Sequence, residues 1–214
     1  MENELLNIFD ENMNHIGSAT RQEVHKLGHW HETFHCWFIS KDNEKDYIYF
    51  QKRSDSKKDY PNLLDITAAG HILANETIKD GVREVKEELG IDVSINELIP
   101  LGVIKYSVTQ EEFIDKELSN VFLYNSQKAF EDFILQTEEV SGIVRANFES
   151  FCEFWLGDRK DILIDGFELN NAGKRVSVKK IVDKSSFVQH ELAYYEKVLK
   201  LISEKIGLAK NSSI

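Results

Sequence analysis

Two cysteines, two prolines and two methionines are all that the 214 residues contain of those types. Cys36 and Cys152 stand far apart with no C-x-x-C, which excludes a disulfide scaffold or a cysteine-built zinc site and leads us to expect reduced thiols. No apolar run approaches the ~20 residues that span a bilayer. The amino-terminal "MENELLNIFDENM" has neither the basic region nor the apolar run of a signal peptide. An excess of positive charge is missing as well: the net charge is −11, spread along the chain. Such a balance disfavours nucleic acid or an anionic membrane as a partner, and any anionic ligand must be held by a local basic cluster. The expectation is a soluble, cytoplasmic protein with no internal repeat.

What is present suffices for a sizeable core: 42% of the residues are hydrophobic and 11% aromatic. "HETFHCWFIS" and "DYIYFQKR" are rich in aromatic and β-branched residues and flank the turn-like "KDNEK", which predicts a hairpin. "LIPLGVIKYSV" and "LSNVFLYNS" read as further strands, and "DILIDGFEL" with "KRVSVKKIV" as another hairpin. "VRANFESFCEFWLG" puts Phe148, Phe151, Cys152 and Trp155 on one helical face. From Val188 a four-three alternation of Leu192, Tyr195, Leu199, Ile202 and Ile206 predicts an amphipathic closing helix, opened by the capping pattern Ser186-x-x-Gln189. That helix could cover a pocket, form a homodimer interface or cap the core. We divide the chain into an N-terminal hairpin or extension at 1–30, a central unit at 31–165, and a C-terminal hairpin and closing helix at 166–214 packed on the same domain.

The segment "GHILANETIKDGVREVKEELGI" carries the chemistry. At about 100° per residue, Ile78, Val82, Val85 and Leu89 fall within roughly 60° of one another and form an apolar stripe. That register gathers Glu84, Glu87 and Glu88 on another face, because spacings of three and four bring side chains to ~5–6 Å at Cβ. Thr77-x-x-Asp80 offers a capping box at the start, and Gly90 suits the left-handed residue that ends a helix. An arbitrary E-x-x-E-E is often a solvated acidic face. Here a glycine-bearing loop, an Arg-Glu pair and a closing Leu-Gly-Ile point instead to a divalent-cation site, for which hard carboxylate oxygens suit Mg²⁺ or Mn²⁺.

"REVKEELGI" with the upstream Gly70 resembles the signature of the Nudix hydrolases, G-x5-E-x7-R-E-U-x-E-E-x-G-U with U a bulky aliphatic residue. Arg83, Glu84, Val85, Glu87, Glu88, Gly90 and Ile91 match its second half. Only six residues separate Glu76 from Arg83, one fewer than the pattern has, so the match does not extend to Glu76. The resemblance implies an α+β fold, a Nudix-like α/β/α sandwich with a mixed central sheet and an acidic catalytic helix. It implies Glu84, Glu87 and Glu88 as ligands of Mg²⁺ or Mn²⁺, Arg83 as the residue that orients them, and a backbone carbonyl near Ala69 or Gly70 that completes the coordination. The activity implied is hydrolysis of the diphosphate bond in a small molecule, such as a nucleoside diphosphate linked to another group, without a covalent intermediate.

"VHKLGHWHETFHCWF" and "YFQKRSDSKKDYPNLLDITAAGH" extend the likeness, over roughly residues 1 to 125, to the branch related to type I isopentenyl-diphosphate isomerase. That likeness implies a second metal site from His25, His31, His71 and Glu117, and a diphosphate grip from Arg53 and Lys57. Each has a plainer reading: histidines of the surface or core, a solvated loop acid, a solvated basic turn. Glu117 has two functional readings, ligand or general base. The isomerase carries a cysteine immediately before its Gly-His, whereas this chain has Ala69, which offers neither nucleophile nor acid. Isomerisation and a non-catalytic diphosphate-binding module are therefore the alternatives to hydrolysis.

Overall fold

The structure, a computed structural model, describes residues 3–110 and 113–207. An amino-terminal hairpin, β1 (Leu5–Phe9) and β2 (His15–Thr20), leads into α1 (Arg21–Leu27). Then come the hairpin β3 (Trp30–Asp42) and β4 (Lys45–Arg53), and the short strands β5 (Leu64–Ile66) and β6 (Ala68–His71). A 3-10 turn at Ile78–Val82 runs into α2 (Arg83–Leu89), followed by β7 (Leu98–Gln110) and β8 (Phe113–Asn125). The chain closes with β9 (Val140–Asn147), α3 (Phe148–Leu156), β10 (Asp161–Leu169), β11 (Arg175–Asp183) and α4 (Leu192–Ile206). Among the described residues the eleven strands join in one largely antiparallel sheet, to which all three sequence segments contribute. β3 and β8 supply its parallel pair, so the sheet is mixed.

Side chains alternate across a strand, and on β3 that alternation divides the core between two helical layers. Phe34, Cys36 and Phe38 face one way and pack with Val85 and Leu89 of α2. Trp37 and Ile39 face the other and pack with Phe148, Phe151 and Trp155 of α3 and with Tyr195 and Leu199 of α4. Each such fully buried aliphatic or phenyl side chain contributes about 1.5–3 kcal/mol. No described helix is long and apolar enough to cross a membrane.

Two expectations need correction. The acidic helix begins at Arg83 rather than near Thr77, and Ile78 is 36% exposed, so the apolar stripe is carried by Val85 and Leu89. The Asp80 carboxylate accepts from both the amide and the hydroxyl of Thr77, which closes the 3-10 turn and not the α-helix. Ser186-x-x-Gln189 is not a capping box, because the Gln189 amide donates back to the carbonyls of Lys184 and Phe187. α4 starts later, at Leu192, which is 50% exposed; Tyr194 takes an inward position instead.

Candidate functional site

β3 organises the site by its partners. β8 runs parallel along one edge, so that His31 pairs with Glu117 and Thr33 with Ser119. On the antiparallel side β6 sets His71 opposite Thr33 and Ala69 opposite His35. Residues directly paired across strands point to the same face. His31, Thr33, His35, His71 and Glu117 therefore converge from three strands, and α1 adds the buried His25.

A cavity of about 590 Å³ opens beside this cluster. It is lined by Glu84, Glu87 and Glu88 from α2, by Arg53 and Lys57 from the basic stretch, and by His25, His71 and Glu117. Arg83 holds the acidic turn together. Its Nε and Nη2 donate to the two oxygens of Glu76 at 2.6 and 3.0 Å, and Nη1 donates to Glu84 at 2.6 Å and Glu87 at 3.0 Å. Nη2 also reaches the carbonyl of His71 at 3.2 Å. Glu76 thus belongs to the site although its spacing breaks the sequence pattern. The 3-10 turn explains how: at ~2.0 Å per residue it travels further than an α-turn at ~1.5 Å, so fewer residues carry the chain from Glu76 to Arg83.

Glu88 is anchored separately, accepting from the amide of Ala69 at 3.1 Å and from Gln51 at 3.2 Å. Gly70 is required by close approach: a Cβ there would lie 2.2 Å from the Glu84 carboxyl. Burial pushes the Glu84 carboxyl up to about 7 despite Arg83, and burial followed by the neighbouring Glu84 holds Glu88 well above the usual carboxylate range. Both carboxylates lack enough positive charge around them, which is the condition a bound cation relieves.

The histidine cluster passes a more direct test for a metal. His25 Nδ1 donates to the carbonyl of Arg21 at 2.8 Å and His31 Nδ1 to that of His29 at 3.2 Å, an arrangement that leaves each Nε2 as a lone pair. Metal-bound histidines are commonly held in this way. Ligand atoms of His25, His31 and His71 lie within 4.8 Å of one another, as do those of His31, Asp115 and Glu117. Among the described residues, His31 Nε2 and Asp115 Oδ1 are buried without a hydrogen-bond partner. Burial lowers His31 and His71, keeping both neutral and able to ligate. Asp115 was missed from sequence, yet its two-residue offset from Glu117 on a strand places both on one face.

Glu117 differs from the acidic turn. His35 Nε2 at 3.0 Å, Thr33 Oγ1 at 3.1 Å and Ser119 Oγ at 3.0 Å all reach its Oε2. Burial alone would raise this carboxyl, but the His35 N–H aimed at it holds it below its ordinary range. The sequence pattern does not single out His35, although it shares the β3 face of His31. Arg53 and Lys57 are pre-positioned by acids: Arg53 Nη1 meets Asp65 at 2.9 Å while its Nη2 donates to the Asp59 carbonyl, and Lys57 pairs with Glu139. Asp65 also accepts from His190 at 2.9 Å, tying the segment before α4 to the cavity wall. Neither cysteine lines the cavity. Cys36 is fully buried in the α2-facing core, and its burial pushes the thiol up.

A mixed α+β fold with an arginine-bound acidic turn beside a histidine cluster defines a class, and comparison with known proteins identifies it. The family model of the NUDIX domain matches residues 29–161. A Nudix hydrolase of Clostridium acetobutylicum is 41% identical over 95% of this chain and 99% of its own length. Isopentenyl-diphosphate Delta-isomerase 1 of Photorhabdus laumondii is 31% identical over 78% of this chain and 98% of its own. The solved structure of a MutT/nudix family protein from Enterococcus faecalis, 15% identical, shares the fold with a TM-score of 0.52, covering 82% of this chain and 62% of that one. The chain belongs to the Nudix family, in the branch that resembles isopentenyl-diphosphate isomerase. It is an enzyme of the pyrophosphohydrolase type, acting on acid anhydrides.

Proposed function

We propose that the protein hydrolyses the diphosphate bond of a nucleoside diphosphate linked to another moiety, or of a related organic diphosphate, with Mg²⁺ or Mn²⁺. The observation that carries this reading is one cavity lined both by Glu84, Glu87 and Glu88 and by Arg53 and Lys57. A diphosphate needs both: cations that the carboxylates would hold, and fixed positive groups for the phosphate oxygens that the cations leave free. Bound there, a divalent ion neutralises phosphate charge and lowers the pKa of the attacking water.

The remaining work falls to the chain's own side chains. Arg83 keeps Glu84 and Glu87 aimed at the cavity, and Gln51 with the Ala69 amide does the same for Glu88. Arg53 and Lys57 steady the leaving phosphate, their own orientation set by Asp65 and Glu139. His25, His31, His71, Asp115 and Glu117 would hold a second ion, for which neutral imidazoles favour Mn²⁺ over Mg²⁺. Three donors on Oε2 make Glu117 a weak proton acceptor, which favours its role as ligand and leaves the water's proton to a glutamate of the acidic turn.

Isomerase chemistry is disfavoured because no thiol lines the cavity and Ala69 stands before Gly70-His71. The deciding experiment is a product screen of nucleoside diphosphate sugars, dinucleoside polyphosphates, nucleoside triphosphates and prenyl diphosphates, with Mg²⁺ and with Mn²⁺. Metal-dependent release of two phosphorylated products supports hydrolysis. Deuterium entering isopentenyl diphosphate in heavy water would establish the isomerase instead, and ligand-induced stabilisation without product would establish a binding module.

A further inference from the structure

α4 lies outside the segment matched by the family, yet one of its side chains reaches the catalytic wall. Tyr194, 1% exposed, places its hydroxyl 2.8 Å from His35 Nδ1 and 3.3 Å from Trp37 Nε1. His35 Nε2 in turn lies 3.0 Å from Glu117 Oε2. Trp37, His35 and Glu117 come from β3 and β8; only Tyr194 comes from the carboxy-terminal helix.

The direction of this chain follows from what each group is able to donate. An indole N–H is a donor only, so the Trp37 bond ends on the tyrosine oxygen. If Tyr194 accepted from His35 as well, its own hydrogen would be buried with no acceptor, at a cost of about 1–3 kcal/mol. Full satisfaction requires the Tyr194 hydroxyl to donate to His35 Nδ1. That makes His35 the neutral Nε2–H tautomer, and its remaining hydrogen points at Glu117. Every donor is then used, and the three bonds to Oε2 leave the other oxygen of Glu117 for the cavity.

We propose that Tyr194 is a positioning residue of the active site: through the His35 tautomer it fixes the Glu117 carboxylate, and so makes the carboxy-terminal helix part of the enzyme's metal-binding wall. The inference rests on the reading of Glu117 as a metal ligand. Tyr194 touches neither substrate nor ion. Removing its hydroxyl would free His35 to exchange between tautomers, one of which turns a lone pair toward the carboxylate and repels it.

Imidazole ¹⁵N correlation spectra of the metal-free wild-type protein test the chain without any variant. They should show His35 as the Nε2–H tautomer; the Nδ1–H form or an imidazolium would overturn the proposal. In Tyr194→Phe, which keeps the ring and its packing, the His35 signals should lose that single tautomer. Mn²⁺ broadening of the His25, His31 and His71 ring signals should then require about ten-fold more metal, and kcat should fall about ten- to a hundred-fold with KM within about twofold. Unchanged Mn²⁺ dependence and kcat, or a rise in KM alone, would reject a positioning role. Glu117→Gln separates the two readings: if it leaves Mn²⁺ broadening of the histidines intact, Glu117 is not the ligand, whereas the His35 tautomer still reports whether the chain exists.

Discussion

The cavity has two carboxylate walls, and they differ both in how they are built and in how well their charge is met. On α2, Glu84, Glu87 and Glu88 sit three and four residues apart on a seven-residue helix, with Arg83 as the main cation among them. Glu84 and Glu88 are raised by burial, so they are under-compensated and fit to receive a cation. On the sheet, Glu117 takes three donors on one oxygen and is held low. Its orientation is finished before any ligand arrives. On the proposed reading the helical wall is a charge reservoir that a metal would complete, and the strand wall is a fixed template whose accuracy comes from register and from side chains as remote as Tyr194.

Disabling the helical wall should give the largest effect. Glu87→Gln with Glu88→Gln removes two of the three carboxylates without changing their volume, and metal-dependent kcat should drop at least about a thousandfold, the equivalent of several kcal/mol of transition-state stabilisation. Steady-state rates at saturating Mg²⁺ and Mn²⁺ check this, and substantial residual turnover would sink the ligand assignment. Arg83→Ala should cost less, about a hundredfold in kcat, because the three glutamates remain but lose the clamp that aims them. It also strips Glu76, with a side chain 14% exposed, of its cationic partner and leaves it only the Leu73 amide. Urea unfolding should then show a loss of about 2 kcal/mol, at the modest end because Arg83 is itself 28% exposed. A variant as active as wild type would mean that the helix alone sets the geometry.

The same contrast explains what was legible in the sequence. The acidic turn is a local pattern, since helix period and glutamate spacing lie within one short string, and its match to a known signature was close. The closing helix was legible for the same reason. Its Tyr194 was not, because the apolar alternation favoured Leu192 and gave no sign of a partner 159 residues away at His35. Spacing alone excludes Glu76, because nothing in the sequence distinguishes a 3-10 turn from a regular one. The strand wall depends on the parallel pairing of β3 with β8, which joins residues such as His31 and Glu117 that only a family resemblance could bring together beforehand. Alternation within each strand was still available, and applied to "HETFH" and "DKE" it would have added His35 and Asp115.

Opposite charge states in the site give opposite responses to pH, and that is the finest test of the comparison. Glu84 in the folded protein is raised from about 4.5 to about 7, so between those values the folded state binds more protons than the unfolded one. Stability of the metal-free protein from this group must therefore be fully present below about pH 4.5 and fall as pH rises through 7. Asp65 shows the reverse. Burial would raise it, but the bonds and charges of His190 and Arg53 hold it below its ordinary 3.8, so its contribution is present above that value and is lost as pH falls below it. Melting of the chelator-treated protein should accordingly be highest in mildly acidic buffer. Glu84→Gln should flatten the fall between pH 5 and 8 and leave the acid limb in place, while Asp65→Asn should soften only the acid limb. Adding Mn²⁺ at pH 8 should recover about 5 °C in wild type, and clearly less at pH 5, where protons compete for the same oxygens. An equal metal effect at both pH values would mean that the carboxylates of the helical wall are already ionised without a cation, and the contrast between the two walls would collapse.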